Sequence, residues 1–418
     1  MKLRKKKHVL IIPDGGGDTA RFDGRSPLAL AETPYTDFMA RAGVSGRMQT
    51  LYADLPKESI VAQLGMFGWD PREYYPDGRA SCELLALEGI RLEEGDLAFR
   101  ANLVRMDGRQ LASYNADYIY SEQARPIIEM LNEALKESFP EFKLFHNSDF
   151  RNTLIFRGVQ LDPKALRCPE PHESHGVEFD VNALITASEP RGQAAAARIN
   201  QYLARTAELL RDEQANMIFP WSPSKVLRLP AFSEHTGFVG KVALVGCMDF
   251  LHGIAKAGAL ESFKVGNGRP DTDYAAKGAK VVELLTQGYE FVICHVNAPD
   301  EASHMGDLAG KIRALEMIDA HVVRPVVEYF QRNEAELGGV MLVPDHYTNH
   351  AAVAANSKRI EIHSIHAVPF VLWNGRERDE VCCYSEDDAE RGKYGRAPVS
   401  HLDLLRLLGL QQARGVSQ

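Results

Sequence analysis

Residues 291–304 read FVICHVNAPDEASH. The apolar run Phe291–Val296 has the length and content of a buried strand. A few residues beyond it stand Asp300 and His304, four apart. Two more apolar runs end in the same way. His8–Pro13 leads into Asp14, and Gly339–Pro344 leads into Asp345-His346. His363 stands just ahead of a fourth run, Val368–Leu372. In an open α/β sheet, ligands bind beyond the carboxyl ends of the strands. Carboxylates and imidazoles gathered there suit one or two divalent metal ions. The expectation is therefore an α/β metalloenzyme.

The individual signals differ in weight. Asp300 and His304 would share a face if the segment begins a helical turn, but an Asp and a His four apart also occur on solvated surfaces. Asp345-His346 is stronger, because a charged pair closing an apolar strand is costly to bury unless it is coordinated or paired. Asp14 follows the same logic. The Gly15-Gly16-Gly17 triplet behind it either lets backbone approach a ligand or makes a plain tight turn. His363 and His366 both precede the last core strand, and a hydrogen-bonded structural histidine is the simpler reading of either. Ser59 follows Pro56-Lys57-Glu58 and precedes Ile60–Leu64, a helix start. A serine there commonly caps the helix. The same place suits a nucleophile, since helix N-terminal N–H groups face a phosphoryl group and a metal lowers a hydroxyl pKa.

Working outward, strand and helix patterns alternate through most of the 418 residues. A helix near Pro34–Ala42 and a strand near Ser45–Leu51 follow the first strand. After residue 190 come a helix over Gln193–Arg211, strands at Lys241–Val245 and Glu261–Val265, a helix at Tyr274–Thr286 and a long amphipathic helix over Asp307–Asn333. This is the pattern of a mostly parallel sheet with helices on both faces. The middle differs. Short strand patterns at Leu97–Met106, Gln110–Tyr114, Lys143–His146 and Thr153–Arg157 surround one helix, Ser121–Lys136. They predict an inserted α+β cap domain over 96–189, between a first core part, 1–95, and a second, 190–418. Cys168–Gly176, rich in Pro, His and Glu, reads as a linker or loop.

Composition narrows the partners. A net charge of -9 argues against a nucleic-acid surface. An acidic protein still binds an anionic substrate where metals and a few arginines supply positive charge. The basic start Met1–Lys7 faintly mimics a signal peptide, but the apolar stretch after it stops at Pro13-Asp14, too short for one. No segment reaches the roughly 18 apolar residues of a membrane span. Six scattered cysteines with no Cys-x-x-Cys pair fit a reducing cytoplasm, most of them as small core residues.

Together these residues resemble the alkaline phosphatase superfamily, and within it the archaeal-type 2,3-bisphosphoglycerate-independent phosphoglycerate mutases. The resemblance runs through Pro13-Asp14-Gly15 with Asp18, Gly24–Leu28 leading to Thr33-Pro34, Gly68–Pro71, Glu73–Tyr75 and Gly95–Asn102. It continues through Asp271–Tyr274 with Lys277, Ala298–Ala302 with His304 and Gly306-Asp307, Asp345-His346, and His363 ahead of Val368-Pro369-Phe370.

The resemblance implies two divalent metals, one held by Asp300, His304 and His363, the other by Asp14, Asp345, His346 and the nucleophile Ser59. Manganese or zinc suits these ligands better than magnesium, given the several imidazoles. Arg79, Arg100, Arg151 and Lys277 fall on matching segments and imply groups that hold phosphate or carboxylate, with surface ion pairs as the competing reading. The departures cluster at the nucleophile. The family reads Gly-Ser-Asp with His or Asn four residues after the Ser, whereas this chain has Glu58-Ser59-Ile60 and Gln63. Its linker has Pro171-His172-Glu173 where Pro-His-Asp is expected.

The implied activity is phosphoryl transfer through a phosphoserine, interconverting 3- and 2-phosphoglycerate. The departures keep open a phosphatase or phosphotransferase acting on another small phosphorylated alcohol. A catalytically inactive metal-binding regulatory protein is the third alternative.

Overall fold

The computed structural model describes residues 5–350 and 362–411. Of the basic opening, Met1–Arg4 lie outside them. The chain divides into two compact units, one made of the residues up to Tyr75 with those from Leu229 onward, the other of Pro76–Arg228.

In the first unit the described residues form an eight-stranded sheet. Its order is Glu261–Lys264, Val242–Gly246, Phe291–Val296, Lys7–Pro13, Leu337–Leu342, Val368–Trp373, Val44–Gln49 and Tyr394–Ser400. Every residue of Lys7–Pro13, Val242–Gly246, Phe291–Val296 and Val368–Trp373 is buried. Both faces are therefore covered, which is why these strands read as unbroken apolar runs rather than alternating ones.

Strand direction places the site. Phe291–Val296, Lys7–Pro13 and Leu337–Leu342 are parallel neighbours, so Asp14 and the segments carrying Asp300 and Asp345 emerge at one edge. Val368–Trp373 runs antiparallel to both of its neighbours. It begins where the others end, and so the His363–Ser364 segment ahead of it reaches the same edge. Val44–Gln49 points the same way as the parallel set, and the chain leaving it reaches the Ser59–Met66 helix. That helix is buried along nearly its whole length. Its back rests on the His401 ring, where a Cβ added at Gly65 would lie 2.0 Å from Cε1.

The predicted Asp307–Asn333 helix forms as Leu308–Ile318, a π-helical turn over Asp319–Val323, and Arg324–Arg332. Pro325 has no N–H to return to the preceding turn, and the His321 carbonyl is crowded by Gly278, where a Cβ would lie 1.9 Å from it. A π-turn accommodates both.

The second unit is wider than the expected 96–189. Leu97–Asp107 pairs antiparallel with Arg151–Phe156 on one side, and on the other with Met217–Ser224 and then Gln110–Ser113. Because Met217–Ser224 belongs to this sheet, the Gln193–Leu209 helix leading to it belongs here too. Ala195, Ile199 and Leu203 share one apolar cluster with Phe99, Leu131 and Phe219. Among the described residues no helix is long and apolar enough to cross a membrane.

Candidate active site

The seven residues expected as nucleophile and ligands meet at the sheet edge of the first unit. Single ligand atoms of Asp14, Asp345 and His346 lie within 4.8 Å of one another, and so do those of Asp300, His346 and His363. His346 thus stands between two groups, where the sequence placed it in one. His304, more exposed, completes the second group. Its Nε2 lies 3.4 Å from Asp300 Oδ2 and 3.2 Å from His363 Nε2. His366 instead bonds Ser364 Oγ through Nδ1 at 2.9 Å.

Ser59 is the first residue of its helix, and Glu58 holds the N-cap position. Its Oγ lies 3.0 Å from His346 Nε2. The capping role that sequence favoured for Ser59 is not the one it takes.

Hydrogen bonds fix which imidazole nitrogens face the site. Thr348 Oγ1 donates to Asp300 Oδ1 at 2.7 Å, so it accepts from His346 Nδ1–H at 3.1 Å. His363 Nδ1–H donates to the Lys57 carbonyl at 2.9 Å. Both rings are left with an Nε2 lone pair turned inward, the arrangement of metal-binding histidines whose other nitrogen is held from behind. Asp345 Oδ1 accepts from the backbone of Gly15 and of His346, each at 3.0 Å, and Oδ2 accepts from Gln63 Nε2 at 3.0 Å. Gly15 has φ +61°, and a Cβ there would lie 2.5 Å from Thr348 Oγ1 and 2.7 Å from Asp300 Oδ1. Of the two readings of the triplet, the tight turn is the one the structure shows, since Gly16 N–H donates to the Pro13 carbonyl at 3.0 Å.

The electrostatics demand a cation. Burial, then the charges of Asp345 and Asp300, push the Asp14 carboxyl well up. Asp14 Oδ1 is buried without a hydrogen-bond partner. Burial also opposes ionisation of Asp300, but His304 and His363 outweigh it and hold that carboxyl well below its usual range. Burial lowers His363, yet Asp300 outweighs it and the ring is raised overall. Burial keeps His346 lowered. Asp14 and Asp300 share a dry site, and positive charge joining them favours the ionised form of both. The donor set, the inward lone pairs and the orphaned oxygen all fit divalent metal ions.

Sequence reasoning missed the support beneath these residues. Lys311 is fully buried, and its Nζ donates to Gly17 O, Thr348 O and Asp18 Oδ2 at 2.9, 2.8 and 3.1 Å. Asp18 Oδ2 also faces His350 Nδ1 at 3.0 Å. One ammonium therefore ties the loop after Asp14 to the loop after Asp345. Lys311→Met is expected to destabilise the protein by about 3–5 kcal/mol, because it removes the ammonium paired with the buried Asp18 carboxylate and leaves it only the His350 imidazole and two backbone N–H groups. Urea denaturation measures this, and a loss under about 1 kcal/mol would mean the tie is dispensable.

Three of the four expected anion-holding residues lie in the second unit. Glu83 bridges Arg79 at 3.0 Å and Arg100 at 3.1 Å. The Arg100 guanidinium stacks 4.2 Å from the Trp221 ring, and Arg151 stacks 4.3 Å from Phe150. Burial, then repulsion from Arg79, pushes Arg100 down to about 10. His172 sits edge-on to Trp221 and 3.2 Å from Glu170, while the Glu173 side chain lies outside what is described. Lys277 belongs to the first unit. It is fully buried and donates to the carbonyls of Val265 at 2.8 Å and His295 at 3.3 Å.

A family model described as 2,3-bisphosphoglycerate-independent phosphoglycerate mutase matches residues 40–216. The chain is 32% identical over 419 residues to the 2,3-bisphosphoglycerate-independent phosphoglycerate mutase of Methanothrix thermoacetophila, a match covering 96% of this chain and 99% of that one. It is 30% identical over 406 residues to 2,3-bisphosphoglycerate-independent phosphoglycerate mutase 2 of Methanothermobacter thermautotrophicus, covering 93% and 94%. Among solved structures, a Pyrococcus horikoshii protein matches with TM-score 0.75 at 23% identity, over 99% of this chain and all of that one. The cofactor-independent phosphoglycerate mutase of Thermoplasma acidophilum matches with TM-score 0.61, also at 23% identity, over 97% and 99%.

Proposed function

The chain belongs to the 2,3-bisphosphoglycerate-independent phosphoglycerate mutase family, and we propose that it interconverts 3- and 2-phosphoglycerate through a phosphoserine at Ser59. One observation carries this reading. The Ser59 hydroxyl opens a helix at the sheet edge and lies 3.0 Å from His346 Nε2, among the carboxylates and imidazoles described above.

We assign Asp300, His304 and His363 to one divalent ion and Asp14, Asp345, His346 and Ser59 to a second, manganese or zinc by ligand type. When bound, the two ions would lower the pKa of the Ser59 hydroxyl and neutralise charge on the transferring phosphoryl group. Ser59 Oγ forms the new P–O bond as the bond from phosphorus to the substrate's alcohol oxygen breaks. The N-terminal end of the Ser59 helix would favour the negative charge of the phosphoryl oxygens. The other hydroxyl of the retained glycerate then takes the phosphoryl group back, which regenerates the Ser59 hydroxyl. Arg79, Arg100 and Arg151 are the groups we assign to the substrate's phosphate or carboxylate. The six cysteines, free in the described residues, suit a reducing cytoplasm, where this conversion would serve glycolysis.

The test is the product. Manganese-loaded protein given 3-phosphoglycerate is expected to form 2-phosphoglycerate with little free phosphate. Phosphate release without the isomer would overturn the mutase reading and leave a phosphatase. The Gln63 departure supplies a donor to the site, since its amide N–H bonds Asp345 Oδ2 at 3.0 Å.

A further inference from the structure

His295 has no part in the assignments above, yet it lies inside the site. It is the next-to-last residue of the Phe291–Val296 strand and pairs in register with Ile12, two residues before Asp14. Its ring is fully buried, and neither nitrogen has a hydrogen-bond partner. Nε2 lies 3.2 Å from Asp14 Oδ2, at hydrogen-bond distance but without full alignment. The other Asp14 oxygen, Oδ1, lies 3.4 Å from His346 Nε2 and is itself unpartnered.

A strand buried on both faces is served by Val, Ile or Cys, as at Val292, Ile293, Cys294 and Val296. An imidazole there with no partner is destabilising. Among the described residues no hydrogen bond to the ring offsets that cost. The gain must come when Asp14 is fixed: one carboxylate oxygen turned inward and the other held by an N–H from behind. Histidine–carboxylate pairs of this kind orient metal-binding groups.

We propose that His295 is a positioning residue that holds Asp14 Oδ2, so that Oδ1 is presented to the divalent ion of the Asp14–Asp345–His346 group. This rests on the reading of Asp14 as a metal ligand. It adds an eighth residue that works through Asp14 and touches neither the ion nor the substrate.

The test compares wild type with His295→Leu and His295→Gln, each stripped of metal and titrated with Mn2+ while free ion is followed by electron paramagnetic resonance. His295→Leu is expected to weaken one class of Mn2+ site by about 10- to 100-fold. His295→Gln, whose amide N–H reaches nearly as far as Nε2, is expected to recover most of that loss. The metal-free Tm of His295→Leu should equal or exceed wild type, because the substitution removes an unpaired buried group. A merely structural histidine would instead lower the metal-free Tm and leave Mn2+ affinity alone, and that result overturns the proposal. Equal loss in Leu and Gln overturns it as well. Wild type that binds no Mn2+ would overturn the metal reading itself and this inference with it. Wild-type binding with an unchanged Leu variant removes only the inference.

Discussion

Ser59→Ala is expected to lower conversion of 3- to 2-phosphoglycerate by roughly 10^4-fold or more at saturating Mn2+, with Tm nearly unchanged. The two halves of this expectation come from the same geometry. Glu58 holds the N-cap position, and no side-chain cap hydrogen bond is made there. Removing the Ser59 hydroxyl therefore does not carry the roughly 1 kcal/mol loss of a capping serine. What it does remove is the oxygen 3.0 Å from His346 Nε2. A coupled assay for 2-phosphoglycerate, intact-protein mass for the phosphoserine, and a thermal melt together check it. Residual activity within tenfold of wild type would show that another group takes the phosphoryl. A Tm drop of several degrees together with mild activity loss would return Ser59 to a capping role.

Much of this site was legible because backbone topology imposes it. Parallel strands buried on both faces must read as apolar runs, and their carboxyl ends must meet at one edge. Asp14, Asp300 and Asp345-His346 could therefore be placed together before any contact was known. The antiparallel Val368–Trp373 strand extends the same logic to His363. The support was not legible. Lys311 and His295 are buried polar residues inside helical or strand patterns, and periodicity marks only which face is apolar. Gln63 could be seen as a departure, but not as a donor to Asp345. The second unit's far boundary was hidden for a different reason. Met217–Ser224 carries Pro220 and Pro223, which argue against a strand. Among the described residues it pairs only with Leu97–Asp107, and an edge position is where prolines are tolerated.

Chelating the metal is expected to reduce phosphoglycerate conversion to background and to lower Tm, with both restored by Mn2+ or Zn2+. A ligand at a thousand times its Kd stabilises by about 4 kcal/mol, so the thermal shift should be plain. Its pH dependence follows from the site's own groups. Asp14 is pushed well up when no cation is present. Its carboxyl therefore stays protonated in the metal-free fold at pH values where the unfolded chain has already lost that proton. Stability of the metal-free protein then falls as pH rises from about 4 toward the folded value. Metal binding displaces this proton, and it also displaces the one that Asp300 helps His363 retain above its ordinary value. Both displacements become easier as pH rises, so affinity and the metal-induced gain in Tm should grow together as pH rises above about 4. Adding metal in weak buffer should release protons. A thermal gain that is flat across this range would mean that the ion does not bind at Asp14 and Asp300. Activity that survives full chelation would mean that these carboxylates serve the fold rather than the reaction.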